Sequence, residues 1–143
     1  MKADGKTEAA VMSVLGRFIK AYHDKDLAGI LKLFAPDQDV VFYGNGEDEK
    51  SIGIAGIREQ AEHDWSQSAT VSLKIKWSSV SSVESVAWIA ADIEIHADIG
   101  GMEMSMPARL TAVLEKRAGE WLFMQWHTSL PTIEEPETLS HNP

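Results

Sequence analysis

Apolar residues recur at helical spacing through the first half of the chain and alternate with polar ones through the second. Val11, Val14, Leu15, Phe18, Ile19 and Tyr22 recur at intervals of three and four, which predicts an amphipathic helix that Thr7 can cap. Asp26 can cap a second, shorter helix with Leu27, Ile30, Leu31 and Phe34 on one stripe, and Pro36 stops it. Residues 39–43 read as a short strand and residues 44–49, Gly-Asn-Gly-Glu-Asp-Glu, as a turn. A third helix follows Gly53, with Ile54, Ile57, Ala61 and Trp65 on its apolar face. From Thr70 to Trp77 the alternation is strict, placing Val71, Leu73, Ile75 and Trp77 on one face of a strand. Three long strands follow, at about 84–99, 102–116 and 120–129. Helices first and a meander of strands afterwards predict an α+β domain with a mainly antiparallel sheet.

The turns set the expected register. Gly100-Gly101 is a two-residue hairpin loop, so Ile99 pairs with Met102 and Asp92 lies opposite Arg109. Trp88 then faces Val113, Ala90 faces Thr111, and His96 faces Ser105. In the next turn Ala118 resists positive φ, which favours a three-residue loop, Arg117-Ala118-Gly119, with only Gly119 left-handed. That loop puts Arg109 opposite His127, Thr111 opposite Gln125, and Val113 opposite Phe123. The result is a transverse polar row of Asp92, Arg109 and His127. A slip of one residue would put Thr128 in the place of His127.

Both faces of this sheet are apolar, and the helices cover one only. The other is expected to meet a second copy of the chain, through Leu110, Leu114, Met124 and Trp126.

Composition narrows the class. The 143 residues correspond to one domain, over 1–130, followed by an acidic, Pro-containing tail over 131–143 that reads as disordered. There is no cysteine, so disulfides, thiol catalysis and thiolate metal sites are excluded. A net charge of −9 argues against nucleic-acid and anionic-membrane partners. No apolar run approaches the ~18 residues of a membrane span, and no signal peptide is visible, so a cytoplasmic location is expected.

The order of elements resembles the nuclear transport factor 2-like superfamily, a cone-shaped α+β fold that includes ketosteroid isomerase and the polyketide cyclases. The SnoaL-like branch is the nearest likeness, with a further similarity to the association domain of calcium/calmodulin-dependent kinases. The resemblance covers residues 8–131. It is carried by Asp24–Phe34, by Val41–Gly46 with Glu49 and Gly53, and by Ala87-Trp88-Ile89. Arg109-Leu110-Thr111, Gly119-Glu120-Trp121 and His127-Thr128-Ser129 complete it. It implies a conical pocket between sheet and helices, dimers, and Arg109, Thr111 and His127 on the pocket side. Where the kinase association domains have an Arg, this chain has Asp92.

The candidate residues follow. Arg109 offers guanidinium donors to a carboxylate, carbonyl or enolate, with Asp92 as its cross-strand partner. His127 and Asp92 are the candidate catalytic residues, with His127 as general acid or base and Asp92, held by Arg109, a poor base alone. Tyr22, Tyr43, Trp65 and Trp88, with Thr111, are candidates to line an apolar pocket. Glu94, His96 and His127 do not make a metal-ligand pattern, and no metal or cofactor is expected. Three functions remain in view. One is binding of a small apolar or carboxylate-bearing molecule in the pocket. Another is isomerase- or cyclase-like proton transfer on an apolar carbonyl compound, with His127 as base and Arg109 or Tyr43 as donor. The third is dimerisation alone.

Overall fold

Asp4, not Thr7, caps the first helix: the Thr7 amide donates to Asp4 Oδ1 at 2.8 Å. In the computed structural model, which describes residues 1–67 and 70–132, the helix α1 runs Gly5–His23. As expected, Asp26 caps the short α2 (Leu27–Leu31), accepting from the Gly29 amide at 3.0 Å. The chain then forms β1 (Val41–Tyr43), the unforeseen β2 (Lys50–Ile52), and α3 (Gly53–Gln67). Gly53 enters α3 at a φ of +72°, a conformation open to glycine because it has no Cβ. Four long strands complete the fold: β3 (Thr70–Val83), β4 (Val86–Ile99), β5 (Met102–Arg117) and β6 (Glu120–Ser129). Of the predicted tail, residues 133–143 lie outside the described residues.

The strands form one curved, unclosed sheet in the order β2-β1-β6-β5-β4-β3. All neighbours are antiparallel except β1 and β6, which run parallel. The chain before β1 extends the β6 edge, where Phe123 donates to the Leu33 carbonyl and accepts from the Ala35 amide. At the opposite edge, residues near the N-terminus pair with β3 through Ala3 and Ser82. Among the described residues no helix is long and apolar enough to cross a membrane.

The hairpin of β4 and β5 has the expected register, with Ile99 opposite Met102 and Asp92 opposite Arg109. The next hairpin does not. Arg117 pairs with Glu120, so the loop is the two residues Ala118 and Gly119, both at positive φ (50° and 83°). Such a loop matches the right-handed twist of the strands, and that match outweighs the left-handed cost at Ala118, about 1–2 kcal/mol. A β-bulge follows, since Leu114 pairs with Phe123 but Val113 pairs with Gln125, leaving Met124 as the extra residue. Thr111, not Arg109, therefore lies opposite His127.

The bulge also moves Trp121 and Phe123 onto the face of Leu114 and Trp126. Trp121 and Phe123 lie before it and Trp126 and Thr128 after it, yet all four are buried on one side. They join Ile89, Ile93, Leu110, Ala112 and Leu114 beneath α1, which contributes Val11, Val14, Leu15 and Phe18. The expected dimer face is thus the core: Leu110, Leu114 and Trp126 are covered by helices, and half-buried Met124 lies against Arg117. A second bulge, at Lys76, turns Trp77 away from Val71, Leu73 and Ile75, and leaves it 55% exposed.

Phe18 is the hub of this core. It is 2% exposed and contacts the rings of Phe34, Phe42, Phe123 and Trp126, the last at a centroid distance of 4.3 Å. Phe18→Ala is expected to destabilise the fold by about 3–5 kcal/mol in urea denaturation. A loss below about 1 kcal/mol, the range of a surface change, would contradict the hub role.

Candidate functional site

Between α1, α3 and the inner face of the sheet lies a narrow cleft of about 90 Å³. Phe18 and Tyr22, one helical turn apart on α1, supply one wall. Phe42 from β1, Val71 and Leu73 from β3, Ile95 from β4, and Trp126 with Thr128 from β6 supply the rest. Phe42 stacks on Trp126 at 5.4 Å and 13°. The buried indole nitrogen of Trp126 donates to Thr128 Oγ1 at 2.6 Å, so the wall carries no unmet donor there.

One end of the cleft is polar. Tyr22 Oη donates to Asp64 Oδ2 at 2.8 Å, and Gln60 Nε2 donates to Asp64 Oδ1 at 2.9 Å. Both Asp64 and Gln60 come from α3, one turn apart. Glu49 faces them from the turn between β1 and β2 and accepts from the Gly46 amide at 2.9 Å. Gly44 and Gly46 make room for it, since a Cβ at either position would fall within 2.3 Å of its carboxylate oxygens. Outside this rim lies an open space of about 240 Å³ that Glu49, Gln60 and Asp64 share with Glu47, Asp48 and His63.

Burial pushes the Tyr22 hydroxyl well above its ordinary range, and the neighbouring Asp64 and Glu49 push it further, so it stays a donor. Glu49 is also raised, first by burial and then by Asp64; the Gly46 amide and His63 oppose the shift. A carboxyl group raised in this way is suited to exchange protons with a bound molecule.

The structure separates the expected site residues into two groups. Tyr22 lines the cleft. Trp65 packs edge-on against Tyr22 at 5.8 Å, behind the cleft, and its buried indole N–H has no acceptor among the described residues. Asp92, Arg109, Thr111, His127, Tyr43 and Trp88 lie on the opposite, outer face of the sheet. Arg109 and Asp92 are directly opposite each other but exposed, and no ion pair joins them. His127 is exposed and packs on the ring of Tyr43 at 5.1 Å. Trp88 is half-buried there. Glu94 and His96 pair at 2.8 Å on the same outer face, and His127 lies across from Ala90 and Thr111, six residues up the strand from His96. The bulge at Met124 moves Trp121 and Phe123 from their expected face to the inner one, while His127 keeps its expected face, that of Arg109 and Thr111; that face is the one the helices leave uncovered.

The residues missed by sequence reasoning are Asp64, Gln60 and Glu49. A signal for the first two exists. Ile57, Gln60, Ala61 and Asp64 occupy one helical stripe, and two polar residues within a buried stripe need partners or a cleft.

A protein-family model for the SnoaL-like domain matches residues 11–133. The chain belongs to the SnoaL-like family. Solved structures agree on the fold of this SnoaL-like domain. A nuclear transport factor 2-like superfamily protein from Salmonella enterica matches with a TM-score of 0.83 at 16% identity, over 94% of this chain and 98% of that one. A nuclear transport factor 2-like family protein from Streptomyces avermitilis matches at 0.81 and 13% identity, over 87% and 97%. A calcium/calmodulin-dependent kinase II association-domain-like protein from Xanthomonas campestris matches at 0.75 and 22% identity, over 89% and 86%. No curated protein matches the SnoaL-like chain.

The raised pKa of Glu49 has a consequence for stability. The folded state holds this proton more tightly than the unfolded chain. Its contribution is therefore full below the unfolded pKa and is lost as pH rises through the folded one. Glu49→Gln removes that loss. The variant is expected to gain melting temperature relative to the parent as pH rises from below the ordinary glutamate value of 4.5 towards neutrality. A difference that stays flat across this range would contradict the assignment.

Proposed function

We propose that this domain binds a small, largely apolar molecule in the cleft between α1, α3 and the sheet, with its polar end at Tyr22, Asp64 and Glu49. The observation that carries this is the wall of Phe18, Phe42, Leu73 and Trp126 ending on hydrogen-bonding groups in a partly open cleft. An apolar body with a few placed polar groups is the usual form of a small-molecule site. The SnoaL-like family includes both binding modules and isomerase- or cyclase-type enzymes, and the fold suits either. Proton transfer is the second reading. It rests on Glu49, whose raised pKa suits it as acid or base, with Tyr22 holding Asp64. His127 and Arg109 cannot serve the cleft from across the sheet.

The first test is titration with small aromatic molecules, followed by the NMR signal of the Trp126 indole. Leu73→Trp fills the cleft and is expected to abolish the shift. Arg109→Ala is expected to leave it unchanged. Loss of binding in Arg109→Ala with binding kept in Leu73→Trp would move the site to the outer face.

We also propose that the domain forms a homodimer, through the outer face of the sheet. That face carries half-buried Trp88, Val113 and Leu122 and exposed Trp77, with Asp92 and Arg109 available to pair across a two-fold axis. Light scattering is expected to show a dimer, and Val113→Glu a folded monomer. A parent chain that is monomeric at micromolar concentration would refute this part.

A further inference from the structure

The rim of the cleft has a pronounced bias of charge. Glu49 and Asp64 line both the inner cleft and the outer space, and Glu47 and Asp48 stand beside them in the outer one. Among the described residues neither space is lined by a Lys or an Arg, and His63 is the one basic side chain on the rim. The turn makes this placement deliberate in a physical sense. Gly44 and Gly46 leave the volume that the Glu49 carboxylate occupies, and the Gly46 amide holds it there. The inner end offers aromatic faces, with Phe42 stacked on Trp126.

We propose that the cleft takes an organic cation, an apolar amine whose ammonium group sits at the rim shared by Glu49 and Asp64 and whose hydrocarbon end enters the aromatic cleft. This rests on the reading of the cleft as a ligand site and specifies what that site accepts. An ammonium group gains charge-assisted hydrogen bonds from carboxylates. The aromatic walls accept the apolar end. A carboxylate ligand meets the like charges of Glu49 and Asp64 at this rim, and a neutral one gains no charge-assisted bond there. The inner volume of about 90 Å³ limits the entering end to a small group, and the outer 240 Å³ leaves the charged end room to be partly hydrated.

The test uses three probes of one shape: phenethylamine, phenethyl alcohol and hydrocinnamate. Each is titrated into the whole chain, with binding followed at the Trp126 indole signal. The amine is expected to bind about tenfold tighter than the alcohol, and hydrocinnamate more weakly than either. Glu49→Gln is expected to remove most of the amine's advantage over the alcohol. Added salt is expected to weaken the amine alone, a check that needs no variant. If amine and alcohol bind equally, or hydrocinnamate binds best, the cation inference is overturned while the cleft reading stands. An advantage of the amine that survives both Glu49→Gln and salt also overturns it. If none of the three moves the Trp126 signal, the cleft reading itself falls and the inference with it.

Discussion

The contact between Phe18 and Trp126, with ring centroids 4.3 Å apart, joins the first helix to the sheet and walls the cleft at the same time. Both residues are 2% exposed, so the ring that closes the core is the ring that bounds the site. Around them Phe34, Phe42 and Phe123 fill the space between helix and strands in tilted and edge-on pairs, the arrangements that the ring quadrupole favours. Trp126 keeps its indole hydrogen bond within its own strand, at Thr128. The aromatic wall therefore draws on none of the polar groups at the mouth. The same density of rings explains why the cleft is narrow.

The polar end is built from three separate stretches of chain: Tyr22 from α1, Gln60 and Asp64 from α3, and Glu49 from the turn before β2. Each is held by a short local device: helical spacing for the first three, and the glycine-flanked turn for the last. Tyr22 remains protonated in this setting and acts as a fixed donor rather than as an acid. Glu49 is the group that departs from what stability alone would choose, because a partly buried carboxyl beside another carboxylate disfavours its own charge. Departures of this kind mark functional positions more often than core positions do.

The helices, the four long strands, the α+β class and the first hairpin register were legible from periodicity and turn residues. Val11, Val14, Leu15 and Phe18 form the buried stripe of α1, as their spacing requires. Asp92 lies opposite Arg109 because Gly100 and Gly101 leave one low-cost loop. The site was less legible, because its location depends on which face of the sheet the helices cover. Both faces carry large apolar side chains, so alternation alone does not single out the covered one. A bulge changes parity without altering composition, so Phe123 and His127 appear to share a face in the sequence and stand on opposite faces in space. The bulge at Lys76 had the same effect on Trp77. Asp64 and Gln60 are polar positions within the apolar stripe of α3, and the periodicity that defines that stripe carries no mark of them.

The bulge at Met124 also sets what kind of change β6 can absorb. Every residue after it, from Gln125 to Ser129, owes its facing to the count of residues before it, not to its own chemistry. Substitutions along this strand act one side chain at a time. The loss of a single residue there would act on the whole segment, turning Trp126 and Thr128 outward and His127 into the cleft. The Gly100-Gly101 tip is different, because it projects beyond the core with no packed neighbour at either glycine. In descendants of this chain, length should therefore drift at that tip and stay constant through β6, even where the identities of its residues do not.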